Sequence, residues 1–114
     1  MKFKEDFSEN ERLLESKKIL SKYPNRVPII VEKHDSCEFG DIKKKKYLVP
    51  RDMYMKEFAF VIRKKVSLSS GQSMFIMSNN RVLPSMNRMG EIYETSCDTD
   101  GFLYMNYSSE HTFG

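Results

Sequence analysis

The 114 residues hold two cysteines and two histidines, and these are the side chains best suited to metal binding or sulfur chemistry: His34, Cys37, Cys97 and His111. A structural zinc takes four such donors, usually in closely spaced pairs, and only His34 and Cys37 stand together, as H-x-x-C. With no second pair, that stretch reads as a loop and no metal site is expected. A Cys-His nucleophile would need distant residues to meet through the fold, with no motif around them. Gly71 stands alone in "SLSSGQS", without the G-x-x-x-x-G-K pattern that cradles a phosphate. The residues thus argue against catalysis and against a bound cofactor.

Two other features could do chemistry. The lysine run Lys43 to Lys46 and the group Arg63 to Lys65 could touch phosphates, although charge runs are ordinarily solvated faces. No aromatic-rich strand of the RNA-binding kind lies beside them, so nucleic acid is not an expected partner. The second feature is the end of the sequence, "SSEHTFG". A carboxylate on Gly114, with no side chain, can enter narrow enzyme clefts and take backbone angles closed to other residues. A terminal glycine also arises from composition alone, so the rest of the chain has to decide.

The composition, 39% hydrophobic and 31% charged, is that of one ordinary globular domain with a real core, and a net charge of +3 is only mildly basic. No secretory segment is visible, so both cysteines are expected as unpaired thiols in a reducing cytoplasm. No apolar run approaches the roughly 20 residues that span a bilayer, which leaves only peripheral or covalent membrane attachment.

These residues must be positioned by a short list of elements. A helical turn over Lys2 to Phe7 precedes a helix in which Ser8 and Glu11 have the spacing of a capping box, Leu13, Ile19, Leu20 and Tyr23 form the apolar side, and Pro24 stops the run. "RVPIIVEK" reads as a strand with apolar residues at both parities: Ile29 and Val31 on one side, Pro28 and Ile30 on the other. Something other than the main core must therefore cover its second face. "HDSCEFGD" is the loop of a hairpin and "KKKKYLVP" the returning strand. Met55, Phe58, Ile62 and Val66 mark a helix, with Asp52 as the expected N-cap and Arg63, Lys64 and Lys65 at its C-terminal end. "SMFIMS" is a third strand, "NNRVLPS" a turn region, "RMGEIYETS" a short helix and "GFLYMNYS" a fourth strand. The order predicts an α+β fold, the ubiquitin-like β-grasp with two additional N-terminal helices.

The segments "KYPNRVPIIVEK", "KKKYLVP", "FVIRKK", "FLYMNYS" and the terminal aromatic-Gly, in this order and spacing, resemble the ubiquitin-like autophagy modifiers, the group that includes the GABA-receptor-associated protein. The likeness runs over the whole chain. It implies residues 1–24 as a helical extension packed on the core, 25–108 as the β-grasp core and 109–114 as a flexible conjugation tail. It implies no enzyme but a modifier: an activating enzyme adenylates Gly114, a conjugating enzyme receives it, and it ends amide-linked to phosphatidylethanolamine on the autophagosomal membrane, with Phe113 the aromatic residue before it. A deconjugating cysteine protease is a further implied partner. Family members commonly carry residues beyond the glycine; here none follow, so the chain is expected either ready to conjugate or trimmed. A single acyl chain gives a membrane association constant of only about 10⁴ per molar, whereas a phospholipid brings two chains and holds the protein stably. The protein is expected in the cytoplasm and, once lipidated, on the autophagosome or a related membrane.

The same resemblance implies two pockets for receptors and adaptors carrying an aromatic-x-x-aliphatic motif. Glu15, Ile19, Pro28, Ile30, Lys46, Leu48 and Phe102 match the first, and Tyr47, Val49, Pro50, Met53, Phe58, Val61 and Ile62 line or underlie the second. Arg26 and Lys46 are placed to meet acidic residues beside the motif. The strand Lys46 to Pro50 is expected at an exposed sheet edge, where a peptide can add as a further strand. An alternative stays open: a β-grasp module that binds an anionic membrane or RNA through its lysine clusters and is never conjugated.

Overall fold

The computed structural model describes residues 2–35, 37, 39–68 and 71–109. Helix α1 spans Lys2–Asp6 and α2 Glu9–Lys22. The capping box forms as expected: Ser8 N–H donates to Glu11 Oε1 at 2.9 Å while Glu11 N–H donates to Ser8 Oγ at 3.2 Å, satisfying two donors that a helix start otherwise leaves free. At the other end Tyr23 N–H still reaches the Ile19 carbonyl before Pro24 removes the next donor.

Strand β1 (Arg26–Lys33) lies between β2 (Lys46–Pro50) and β5 (Leu103–Ser109), antiparallel to the first and parallel to the second. With β3 (Met74–Ser78) and β4 (Arg81–Val82) the sheet runs β2-β1-β5-β3-β4. Helices α3 (Met55–Val66) and α4 (Met89–Ser96) complete the chain. This is the β-grasp arrangement, and β1 is buried from Val27 to Glu32. Val27, Ile29 and Val31 join the main core with Phe58, Ile62, Ile92, Leu103 and Met105. Ile30 belongs to a separate cluster on the opposite face, with Phe3 of α1 and Phe102. The two parities of β1 thus meet two different layers.

Three local expectations are corrected. The stretch "NNRVLPS" is more than a turn: Asn79 and Asn80 take φ of 53° and 64°, the left-handed pair of a two-residue hairpin, and β4 follows at once. Asp52 does not cap α3. The chain is still turning at 51–52, and a β-bridge between Tyr54 and Arg88 delays the helix until Tyr54 occupies the cap position, its N–H taken by Glu57 Oε1 at 3.1 Å. The returning strand begins only at Lys46, so three of the four lysines precede it.

One attachment of α2 lies at the turn that precedes β5. Asp100 is buried, and its Oδ2 accepts from Arg12 Nη1 at 2.5 Å and from the Tyr104 hydroxyl, while Oδ1 accepts from Phe102 N–H at 2.9 Å. Its carbonyl accepts from Ser16 Oγ, and the next carbonyl, of Gly101, takes the Tyr93 hydroxyl at 2.7 Å. Burial first, and then the charge-bearing Asp100, push the Tyr104 phenol well above its ordinary value, so it stays a neutral donor. Gly101 makes this approach possible: its φ is +89°, and a Cβ there would come within 2.8 Å of Ser16 Cβ and closer still to Ser16 Oγ.

Gly71 has nearly the same φ, +88°, but open space where its Cβ would be. Gly71→Ala is therefore expected to cost about 1 kcal/mol from backbone strain alone, and Gly101→Ala about 3 kcal/mol because α2 must also give way. Urea midpoints at unchanged m-value measure both; equal losses would show that the Ser16 contact yields freely.

Candidate functional site

Strand β2 is one end of the sheet, and its hydrogen-bond phase fixes what it offers. Val31 N–H donates to the Lys45 carbonyl at 2.8 Å, and the register pairs Ile29 with Tyr47 and Val27 with Val49. In an antiparallel pair such residues exchange their bonds, so the N–H and C=O of the alternate residues, Lys46 and Leu48, point away from β1. Pro28, opposite Leu48, has no N–H to offer β2 in any case. Among the described residues no strand pairs with this outer side. One group is partly engaged: Arg26 Nη1 reaches the Leu48 carbonyl at 3.4 Å.

The side chains of β2 alternate as strictly as its backbone. Tyr47 and Val49 turn into the main core, where the Tyr47 and Phe58 rings meet edge to face with centroids 5.5 Å apart. The Tyr47 hydroxyl donates to the Lys44 carbonyl at 2.9 Å, and burial pushes its phenol up. Phe58 and Ile62 are fully enclosed. Of the residues matched to the second pocket, Pro50, Met53 and Val61 keep accessible surface, and Tyr47, Val49, Phe58 and Ile62 lie beneath them. Exposed Phe60, with Lys64 Nζ 4.4 Å from its ring centre, extends this apolar surface along α3.

On the opposite side, Leu48 and Ile19 are half-buried, and Glu15 and Lys46 form an ion pair over them. Pro28, Ile30 and Phe102 are buried below. The Phe3 ring lies edge-on against Phe102, centroids 5.2 Å apart, so α1 backs the buried residues matched to the first pocket. A side chain arriving at the β2 edge meets Leu48, Ile19 and the Glu15–Lys46 pair first. Next to it, Leu14, Lys18 and Lys22 of α2, with Tyr23 just after the helix, continue Glu15 and Ile19 into a groove of about 460 Å³. Sequence reasoning missed Leu14, which is 70% exposed; a leucine outside the apolar stripe of an otherwise charged helix was the available signal.

The lysine run is dispersed rather than presented as one patch. Lys46 pairs with Glu15, Lys45 lies 3.9 Å from Glu32, and Lys44 Nζ sits 4.9 Å from the Tyr47 ring centre. Among the described residues no group of three His, Cys, Asp or Glu could hold a metal ion. Cys37 is buried and Cys97 exposed, both as thiols; partial desolvation of its sulfur and then Glu94 push the Cys97 thiol up, the opposite of what an activated nucleophile needs. No helix among the described residues is long and apolar enough to cross a membrane. Phe113 and Gly114 lie outside the described residues.

A sequence model of the family described as "Autophagy protein Atg8 ubiquitin like" matches residues 11–114. The chain is 44% identical over 112 residues to autophagy-related protein 8h of Arabidopsis thaliana, covering 98% of this chain and 94% of that protein. It is 46% identical over 112 residues to autophagy-related protein 8 of Schizosaccharomyces pombe, covering 98% and 93%. Among solved structures it is similar to Trypanosoma brucei ATG8, with a TM-score of 0.91, 38% identity and coverage of 96% and 95%. It is also similar to Plasmodium falciparum Atg8 in complex with a Plasmodium falciparum Atg3 peptide, with a TM-score of 0.85, 34% identity and coverage of 94% and 97%.

If Phe3 backs the buried residues matched to the first pocket, Phe3→Ala costs about 3 kcal/mol, as loss of a buried ring does. Glu15→Ala, which breaks only a surface ion pair, costs less than about 1 kcal/mol. Urea denaturation compares the two, and similar small losses would mean that α1 does not support those residues.

Proposed function

The chain belongs to the Atg8 family of ubiquitin-like autophagy proteins, and from that premise we propose that it is a modifier conjugated through Gly114 to phosphatidylethanolamine. On the membrane it then recruits receptors and adaptors by binding short aromatic-x-x-aliphatic motifs. The observation that carries the docking half is the outward-facing backbone of Lys46 and Leu48 between two apolar patches. An extended peptide bonds to such an edge while its alternate side chains reach the surfaces on either side. The Glu15–Ile19–Leu48 surface suits one anchor and the Pro50–Met53–Val61 surface the other. That a Plasmodium Atg8 has been solved with an Atg3 peptide supports peptide docking on this fold.

Two buried anchors at about 1.5 to 3 kcal/mol each, less ordering costs, suit a reversible contact of roughly micromolar strength. Arg26 and Lys46 favour acidic residues beside the motif, mainly through faster association that salt screens. The conjugation half rests on the family and on the aromatic-Gly end of the sequence. The activating and conjugating enzymes and the deconjugating cysteine protease act on Gly114 itself, while Phe113 belongs to the segment they recognise. The lipid places the protein on the autophagosome or a related membrane; before conjugation it is cytoplasmic.

Reconstitution with activating enzyme, conjugating enzyme and phosphatidylethanolamine vesicles separates the two halves. Deleting Gly114 is expected to abolish the phospholipid adduct seen by mass spectrometry and to leave peptide affinity unchanged. Leu48→Ala, at a half-buried position, is expected to weaken peptide binding at least tenfold and leave the adduct intact. A Gly114-deleted protein that still acquires lipid would contradict the conjugation site, and loss of both activities in folded Leu48→Ala would contradict the two-site account.

A further inference from the structure

The sheet face that α1 and α2 cover changes character beyond Ile30 and Tyr104. The next pair in register on that face is Glu32 of β1 with Asn106 of β5, and beside it opens a cavity of about 400 Å³ also lined by Lys2, Lys33, His34, Asp35, Asp41 and Lys45. Glu32 is only 6% exposed. Its Oε2 accepts from Phe3 N–H at 3.3 Å and lies 3.9 Å from Lys45 Nζ. Its Oε1, and Asn106 Oδ1, are buried with no hydrogen-bond partner among the described residues. Two acceptors, one belonging to a carboxylate, thus stand on neighbouring strands with their donors missing, which is costly unless something supplies them.

We propose that this cavity binds a guanidinium group with a carboxylate beside it. A guanidinium carries five N–H donors in a rigid planar fork, which spans two adjacent acceptors and brings the charge that Glu32 calls for. An ammonium is a more strongly hydrated point charge and fits two separated acceptors less well. The neighbouring carboxylate follows from the rim. Lys2, Lys33 and Lys45 balance Glu32, Asp35 and Asp41, so an added guanidinium leaves positive charge in excess that a carboxylate beside it offsets, and the pairs Lys33–Asp41 at 3.8 Å and Lys45–Glu32 at 3.9 Å are long enough to be exchanged for a better one. The chemistry is that of free arginine or of an arginine next to an acidic residue on a partner protein. The site lies on the C-terminal half of β1 and on β5, away from the outer edge of β2, so it stands or falls separately from the peptide-docking reading.

The test is a titration of the ¹⁵N-labelled full chain, followed by amide shifts, with three probes: N-acetyl-Arg-Glu-amide, free L-arginine and N-acetyl-Lys-Glu-amide. Shifts are expected at Glu32, Lys33 and Asn106 with the Arg-Glu probe, with a Kd on the order of 1 mM, and none at Leu48. Asn106→Ala, at a partly exposed position, is expected to weaken this at least tenfold without unfolding the chain, and Glu32→Gln to act in the same direction. Binding of the Arg-Glu probe alone assigns the site to a protein segment, whereas equal or tighter binding of free arginine assigns it to the amino acid. Absence of shifts with both arginine probes would mean a cavity filled by water and overturn the proposal. So would equal affinity for the Lys-Glu probe, or full affinity retained in Asn106→Ala.

Discussion

Strand β1 has no polar face to give to water. Every residue from Val27 to Val31 is buried, Pro28 included, so a strand at the middle of the sheet must be covered on both sides. Burial of apolar surface on this scale is the main favourable term in folding, and it dictates the architecture. One parity is met by α3 and α4, as in any β-grasp domain; the other would face solvent without α1 and α2. The N-terminal helices are therefore part of the fold, because they complete the second layer.

The lock on that second layer is polar. Arg12 and Ser16 of α2 reach Asp100, Lys4 of α1 reaches Asp98 at 2.7 Å, and Phe102, two residues past Asp100, receives the Phe3 ring. A buried carboxylate is tolerable only when its oxygens are bonded, and Asp100 has both satisfied. The same lock bears on the surface proposed for docking. With Phe3 held on Phe102, the residues matched to the first pocket that keep accessible surface are Glu15, Ile19, Lys46 and Leu48. Tyr47 and Val49 anchor β2 in the main core, leaving the outer backbone groups of Lys46 and Leu48 facing away from β1.

Much of this was legible in the residues. Apolar side chains at both parities of "VPIIV" demanded two covering layers, and the Ser8–Glu11 spacing located the start of α2. The misses have physical reasons. A two-residue strand such as Arg81–Val82 leaves no alternation to read, although the adjacent Asn79–Asn80, both tolerant of left-handed backbone, was the available signal for a hairpin. Asp52 has the right side chain for a cap, but the Tyr54–Arg88 bridge is a long-range pairing that local propensity cannot foresee. For the site, parity set Pro28 and Ile30 apart from the main core and the family resemblance grouped Leu48 with them, but the depth of each residue depends on Phe3, whose position is fixed by contacts about a hundred residues away in sequence. Glu32 and Asn106 gave no signal at all; their pairing exists only once β1 and β5 lie in parallel register.

The claim that ties fold to function is that the outer edge of β2 accepts a strand from a partner. Hydrogen exchange at the Lys46 and Leu48 amides, followed by NMR with and without an aromatic-x-x-aliphatic peptide, tests it most directly. The account predicts fast exchange at both amides in the free protein and clear protection of both in the complex, while the Ile29 amide, already paired inside the sheet, changes little. A bound complex in which the Lys46 and Leu48 amides exchange as fast as before would contradict it.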